Sequence, residues 1–202
     1  MSLMVTYRLT TPLSEAQVRK LRVNDLVFLS GTLVTARDLA HRRALELFRK
    51  GKKLPIDIKD LAIFHCGPVV KKEDDGWVVV AAGPTTSTRM ESVEAEFVQG
   101  SKVRMIIGKG GMGKRTGAML ADFGGVYCAF TGGAAVLAAR AVKRVVGVEW
   151  LDLGMAEALW VLEVEKFGPL VVAIDSRGDN LFLDAAKKVK LNKQRIVRKL
   201  GF

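Results

Sequence analysis

An alternation constrains this chain most. Short apolar runs, several rich in β-branched residues, cover Asp25–Leu29, Leu61–Phe64, Trp77–Ala82, Val103–Ile107, Val145–Glu149 and Leu170–Asp175. Helix-period patterns occupy Thr35–Lys50, Ser87–Val98, Lys114–Phe123 and Thr131–Val142, with Ser14–Arg22 ahead of the first run. Strands that alternate with helices must bury a sheet under those helices, so the pattern specifies an α/β domain. One segment breaks the rule. Pro68–Lys72 and Trp77–Ala82 flank the acidic turn Glu73-Asp74-Asp75-Gly76, which reads as a hairpin and makes the sheet mixed rather than purely parallel. Helix boundaries are signalled locally: Ser14 with Gln17 forms a capping box, Thr35 with Asp38 forms its shorter version, and Gly51 supplies the left-handed residue that stops the second helix.

A length of 202 residues suits one such domain. The formal net charge of +11 raises nucleic acid, a membrane surface or an acidic small ligand as partners. Its distribution narrows the choice. Lys187, Lys188, Lys190, Lys193, Arg195, Arg198 and Lys199 follow one another with no acidic residue among them, and Val189, Ile196, Val197 and Leu200 give the segment an amphipathic pattern. The expected division is a domain over residues 4–182 and a basic C-terminal helix or arm over 183–202, with the stretch around Gly178–Asp184 as linker; Met1–Leu3, ahead of a second Met, are set aside. The arm reads as a solvated face or a subunit-docking element; nucleic acid is disfavoured because no aromatic residues interleave with the charges. No apolar run approaches the roughly 18 residues of a membrane span, and no secretory pattern opens the chain. Cys66 and Cys128, both in apolar stretches, fit buried thiols in a reducing, cytoplasmic setting. The expectations are no membrane, no nucleic acid and no metal held by this chain.

Three loops carry residues suited to chemistry. Arg37 falls in the first turn of the helix expected to start at Thr35, where a cation is unfavourable unless an anion or an acidic neighbour is beside it; His41 lies one turn on, on the same face. His65, after a strand, reads as a core or turn residue. Thr85, Thr86, Ser87 and Thr88 precede Arg89 at another helix start, which reads as capping or as a donor set for a ligand. Gly108-Lys109-Gly110-Gly111-Met112-Gly113-Lys114 approaches a phosphate-binding loop, with Leu170–Asp175 as a possible metal-holding strand, until Arg115 stands where Ser or Thr is needed. The loop therefore reads as a nucleotide site, a plain turn, or an anion site using Lys109. Arg37, Arg89 and Lys109 each follow an expected strand, so they can meet outside the carboxyl ends of the sheet and suit a small dicarboxylate. A Cys/His metal set, a nucleophile elbow and a pair of catalytic carboxylates are all missing from the sequence, which makes the chain look like half of an active site.

The segments Gly31–Arg43, Ala62-Ile63-Phe64-His65-Cys66-Gly67-Pro68, Gly83–Ser92, Gly108–Gly113, and Leu153-Gly154-Met155 through Phe167-Gly168-Pro169 to Ile174-Asp175 resemble one family. It is the β subunit of the iron-sulfur-dependent hydro-lyases, class I fumarate hydratase and L(+)-tartrate dehydratase, equivalent to the C-terminal domain of single-chain class I fumarases. The resemblance runs from about Thr10 to Leu181 and leaves out the basic tail. It implies a swivelling β/β/α domain with a mixed sheet and flanking helices, paired with an α subunit whose cysteines hold a [4Fe-4S] cluster. In such enzymes a cluster iron acts as Lewis acid while water is added to or removed from a C4 acid, most simply fumarate to L-malate, with tartrate to oxaloacetate as the alternative. By resemblance Arg37, Arg89 and Lys109, with Thr85, Thr86 and Ser87, hold substrate, Thr85 takes part in proton transfer, and His41 is the acid or base. A heterotetramer with two of each subunit, or a homodimer of isolated chains, is the implied assembly. The reading from another class is a non-catalytic anion- or nucleotide-binding module.

Overall fold

In the structure, a computed structural model, residues 4–74 and 76–200 are described. Met1–Leu3, Asp75 of the expected acidic turn, and residues 201–202 of the expected arm lie outside them. In chain order the elements are β1 (Thr6–Thr10), α1 (Glu15–Val18), β2 (Leu26–Thr35), α2 (Asp38–Arg49), β3 (Ala62–Phe64), β4 (Val69–Glu73), β5 (Gly76–Ala81), α3 (Glu91–Ser101), β6 (Met105–Gly108), α4 (Lys114–Phe123), β7 (Val126–Ala129), α5 (Ala135–Ala141), β8 (Val142–Glu149), β9 (Leu159–Ile174) and α6 (Leu181–Lys199). Short 3₁₀ turns cover Ser87–Met90 and Leu151–Leu153.

The main sheet has the order β1-β2-β3-β6-β7-β9-β8, and β9 pairs a second time, with β2. That second pairing closes β2, β3, β6, β7 and β9 into a ring. Strands β1, β2, β3, β6 and β7 are parallel and β9 is antiparallel to its neighbours, so the sheet is mixed. Strands β4 and β5 form the expected hairpin, but as a two-stranded sheet of their own, so the antiparallel member of the main sheet is β9 and not the hairpin. The architecture is therefore a single α/β domain with a mixed sheet and flanking helices.

Strands covered on both faces read as continuous apolar runs, and here the pleat sorts them into two cores. Ala62, Phe64, Met105, Ile107, Val126 and Cys128 join Leu29, Trp160 and Phe167 on one side. Their neighbours Ile63, Ile106 and Tyr127 face the other side, against Ala40 and Leu45 of α2, Phe97 and Val98 of α3, and Leu120 of α4. A one-residue slip in β3 would exchange Phe64 for Ile63 and break both cores at once.

Several boundaries differ from the sequence reading. The Ser14–Gln17 capping box forms, with both reciprocal bonds present. The Thr35 cap does not. Thr35 is the last residue of β2, its Oγ1 donating to Ala158 O at 3.4 Å and accepting from Trp160 N at 3.1 Å, so α2 begins after Arg37 instead. The helix expected at Ser87 is a 3₁₀ turn that continues into α3, and the one expected at Thr131 starts at Ala135. Strand β9 begins eleven residues ahead of the expected Leu170 because Gly168 and Pro169, which interrupt its sequence pattern, sit in a bulge between the pairs Val27↔Leu170 and Leu29↔Phe167. Strands β1 and β7 lie outside the expected runs. The supposed linker holds Asn180, whose side chain caps α6 by accepting from Phe182 N and Leu183 N at 3.0 and 3.2 Å, so the expected 182/183 boundary falls inside the first turn of that helix.

Trp160 is fully buried, meets the Trp77 ring edge-on at 5.2 Å, and donates its indole N–H to Met155 O at 2.8 Å. Trp160→Ala is expected to cost about 3–5 kcal/mol, read as a lowered urea midpoint; a loss under about 1 kcal/mol would contradict the packing described. Cys66 and Cys128 are fully buried, and burial pushes the Cys66 thiol up to about 12 against the smaller opposing pull of Arg37 and raises Cys128 as well. Iodoacetamide at about pH 8 is expected to label both cysteines in denaturant and neither in the folded chain, counted by mass.

Candidate functional site

The carboxyl ends of β2, β3 and β6 open onto one rim. Arg37 follows β2 as the residue before α2, with extended backbone (φ −131°) and no side-chain cap. Its guanidinium lies 3.4 Å from Glu157 Oε1 and 3.8 Å from Asp38 Oδ2, while its Nε is buried without a hydrogen-bond partner. Glu157 Oε2 also accepts from Leu39 N at 2.9 Å, so the anion that the helix start asks for is supplied by this chain. Arg89, on the 3₁₀ turn, grips the same Asp38 through Nε and a terminal nitrogen at 3.1 and 2.8 Å. Asp38 thus joins two arginines from separate loops. Arg89 remains half exposed and Arg37 is 21% exposed.

The other loops are stitched to this pair by backbone bonds. Thr85 N donates to His65 O at 2.6 Å, Lys109 N to Thr85 O at 3.3 Å, and Ser87 N to Lys109 O at 2.8 Å. Cys66 bridges to Pro84, and Gly67 lies so close to Arg37 that a Cβ there would stand 2.6 Å from a guanidinium nitrogen. Thr85, Thr86 and Lys109 keep partly exposed side chains on the rim. Arg37, Arg89, Lys109, Thr85 and Thr86 are therefore brought to one place.

Two expected members are placed differently. Ser87 is fully buried, its Oγ 2.9 Å from His65 Nδ1 and accepting from Tyr127 OH at 3.0 Å. His41 is also fully buried: its ring packs on Phe97 with centroids 4.3 Å apart, and its Nδ1 lies 2.8 Å from Arg37 O. The α2 face that carries His41 turns into the sheet, not toward the rim, which corrects the expectation of an imidazole beside a bound ligand. His65 is in the core as expected. Both rings point Nε2 at Glu94 Oε2, at 3.3 Å from His41 and 3.2 Å from His65. Burial alone would lower His41, but the Glu94 carboxylate outweighs it and holds the imidazole above its ordinary value. Burial would likewise raise Glu94, and the two histidines overcome it and hold the carboxyl low. Glu94 was missed by sequence reading, though a signal existed: it sits with Phe97, Val98 and Ser101 on the buried stripe of α3, where an acidic residue needs a partner.

The glycine loop does not present a phosphate cradle. Gly113 N donates to Glu91 Oε2 at 2.6 Å and Thr116 Oγ1 donates to the same oxygen at 2.9 Å, so a carboxylate of this chain covers the start of α4 where a phosphate would lie. Asp175, the would-be metal ligand, accepts instead from Arg177 N at 2.9 Å and from Asp179 N and Val23 N, each at 3.3 Å. Gly110 and Gly111 adopt φ of +78° and +75°, and Gly111 abuts the Phe182 ring, so the loop's glycines serve turning and packing. The nucleotide-site reading is set aside on these contacts. Nor do the two cysteines fit an iron–sulfur cluster: both thiols are buried and held protonated, and a cluster needs mostly thiolates, about four ligands in all.

Comparison with known proteins is consistent with this geometry. The family described as fumarase C-terminus matches residues 3–185. A provisionally named L(+)-tartrate dehydratase β subunit from Methanocaldococcus jannaschii is 49% identical over 183 residues, 89% of this chain and 94% of that one. The L(+)-tartrate dehydratase β subunit of Escherichia coli is 45% identical over 192 residues, 95% of this chain and 94% of that one. A provisionally named class I fumarate hydratase of Geobacillus stearothermophilus is 40% identical over 180 residues, which are 89% of this chain and 34% of that longer protein. The chain belongs to the fumarase C-terminus family, as a β-subunit-type member of the class I fumarase-like hydro-lyases.

Proposed function

We propose that this chain is the β subunit of a [4Fe-4S]-dependent hydro-lyase that adds water reversibly to fumarate to give L-malate. The observation that carries the reading is the rim itself: Asp38 joins Arg37 to Arg89, and backbone bonds tie Lys109 to the segment that carries Thr85 and Thr86. Guanidinium groups grip carboxylates in bidentate fashion and an ammonium adds a point charge, so the set suits a small dianion. The cluster belongs to a partner α subunit, which supplies a Lewis-acid iron when assembled. This chain's part is to bind and orient: Arg37 and Arg89 take one end of the substrate, Lys109 the other, and the backbone stitches between loops fix their spacing. Thr85, on the rim, is the hydroxyl assigned to proton transfer. A second reading, L(+)-tartrate dehydratase, is favoured by the names of relatives that match nearly the full length. No helix among the described residues is long and apolar enough to cross a membrane.

Co-expression with the cluster-bearing partner, purified and assayed anaerobically for fumarate hydration and L-tartrate dehydration, tests the reading. One of the two activities is expected, and absence of both in a cluster-loaded complex refutes it. In the active complex Arg37→Ala, Arg89→Ala and Lys109→Ala are each expected to lower kcat/KM by about 10²-fold or more. Unchanged kinetics in all three would remove the cationic rim from the mechanism. Calorimetric titration of the full chain with Mg-ATP is expected to show no binding, since Glu91 already occupies the loop; tight binding would support the nucleotide module instead.

A further inference from the structure

We propose that Glu94 is the positioning residue of the rim: its buried carboxylate, set between the Nε2 atoms of His41 and His65, holds the loops that carry Arg37, Thr85 and Lys109 in one fixed arrangement. Glu94, His41 and His65 are all fully buried, and both carboxylate oxygens and both Nε2 atoms lack any hydrogen bond of good geometry. An isolated carboxylate in the core is strongly unfavourable, so cationic or N–H character must face it.

Proton bookkeeping shows which. Arg37 O can only accept, so His41 Nδ1 carries a hydrogen that it donates there at 2.8 Å. A neutral His41 would then aim the Nε2 lone pair at Glu94 Oε2, 3.3 Å away, which is repulsive. A second proton on the ring removes the repulsion and makes His41 an imidazolium paired with the carboxylate. On the other side, Ser87 Oγ accepts from Tyr127 OH at 3.0 Å and gives its own proton to His65 Nδ1 at 2.9 Å. His65 Nε2 lies 3.2 Å from Glu94 Oε2, so an N–H on that nitrogen faces the carboxylate from this side. The titratable and charged groups facing this cluster are His41 and Asp38 from α2, His65 after β3, and Tyr127 from β7.

From this centre every loop of the rim is tied down. His41 fixes the carbonyl of Arg37 through its ring, and its own N–H reaches the same oxygen at 2.9 Å. The His65 backbone O holds Thr85 N, the His65 ring holds Ser87 Oγ, and Ser87 N holds Lys109 O. One charge on α3 therefore organises three strand ends that share no covalent neighbour. This inference rests on the proposed function only for what the rim binds.

Two measurements test it. In the ¹⁵N-labelled full chain, the His41 ring nitrogens are expected to stay doubly protonated at a pH where the histidines of the unfolded chain have lost their proton, and in Glu94→Gln to lose the proton at lower pH. In the active complex, Glu94→Gln is expected to lower kcat/KM by about 10- to 100-fold, mostly through KM, with partial recovery in Glu94→Asp. A neutral His41 in the wild-type chain, wild-type kinetics in Glu94→Gln, or a stoichiometric metal ion bound between the two imidazoles would each overturn the proposal. If the wild-type complex turns over neither acid, the proposed function fails, while the ring titration still decides for or against Glu94. If Glu94→Gln does not fold, the wild-type titration decides alone.

Discussion

The double pairing of β9, with β7 on one edge and β2 on the other, is the constraint on which the rest depends. It closes the sheet, and a closed sheet fixes the direction and spacing of every strand within it. Because β2, β3 and β6 are parallel, their carboxyl ends emerge together, and the loops that leave them have no choice but to share one rim. The site is thus a consequence of topology before it is a consequence of side chains. What the side chains add is charge, and charge in a partly buried rim must be balanced locally.

That balance is where sequence reading ran out. The cations and the hydroxyls were legible, because Arg37, Arg89 and Lys109 each stand shortly after an expected strand, and the two arginines fall at expected helix starts, where a cation is unfavourable without an anion. Their acidic counterparts were not, since Asp38 meets Arg89 across 51 positions of sequence and Glu157 meets Arg37 across 120. Nothing in local spacing announces such a pair. The same holds for Thr35, whose hydroxyl was read as a helix cap by local rule but is claimed by β9 from 125 residues away. Helix α4 and the β4–β5 hairpin, specified by their own residues, came out nearly as expected. Elements that needed a distant partner, such as the first half of β9, did not.

The glycine loop teaches the same point from the other side. Its spacing imitates a phosphate cradle, and the backbone even delivers an amide and a hydroxyl to a single acceptor. The acceptor is Glu91, at the first residue of α3, and the motif is spent on joining two helices. A pattern of residues names a local geometry, and only the surrounding chain says what fills it.

Asp38, held between two guanidinium groups, has a further consequence. On the proposed reading an incoming dicarboxylate does not meet vacant cations; it meets cations already engaged by a tethered carboxylate of similar shape. Binding is then an exchange of one anion for another, and its free energy is a difference between two similar pairings instead of the full strength of either. Such a site stays ordered while empty, releases product as readily as it takes substrate, and discriminates by fit, because raw charge attraction is largely cancelled on both sides of the exchange.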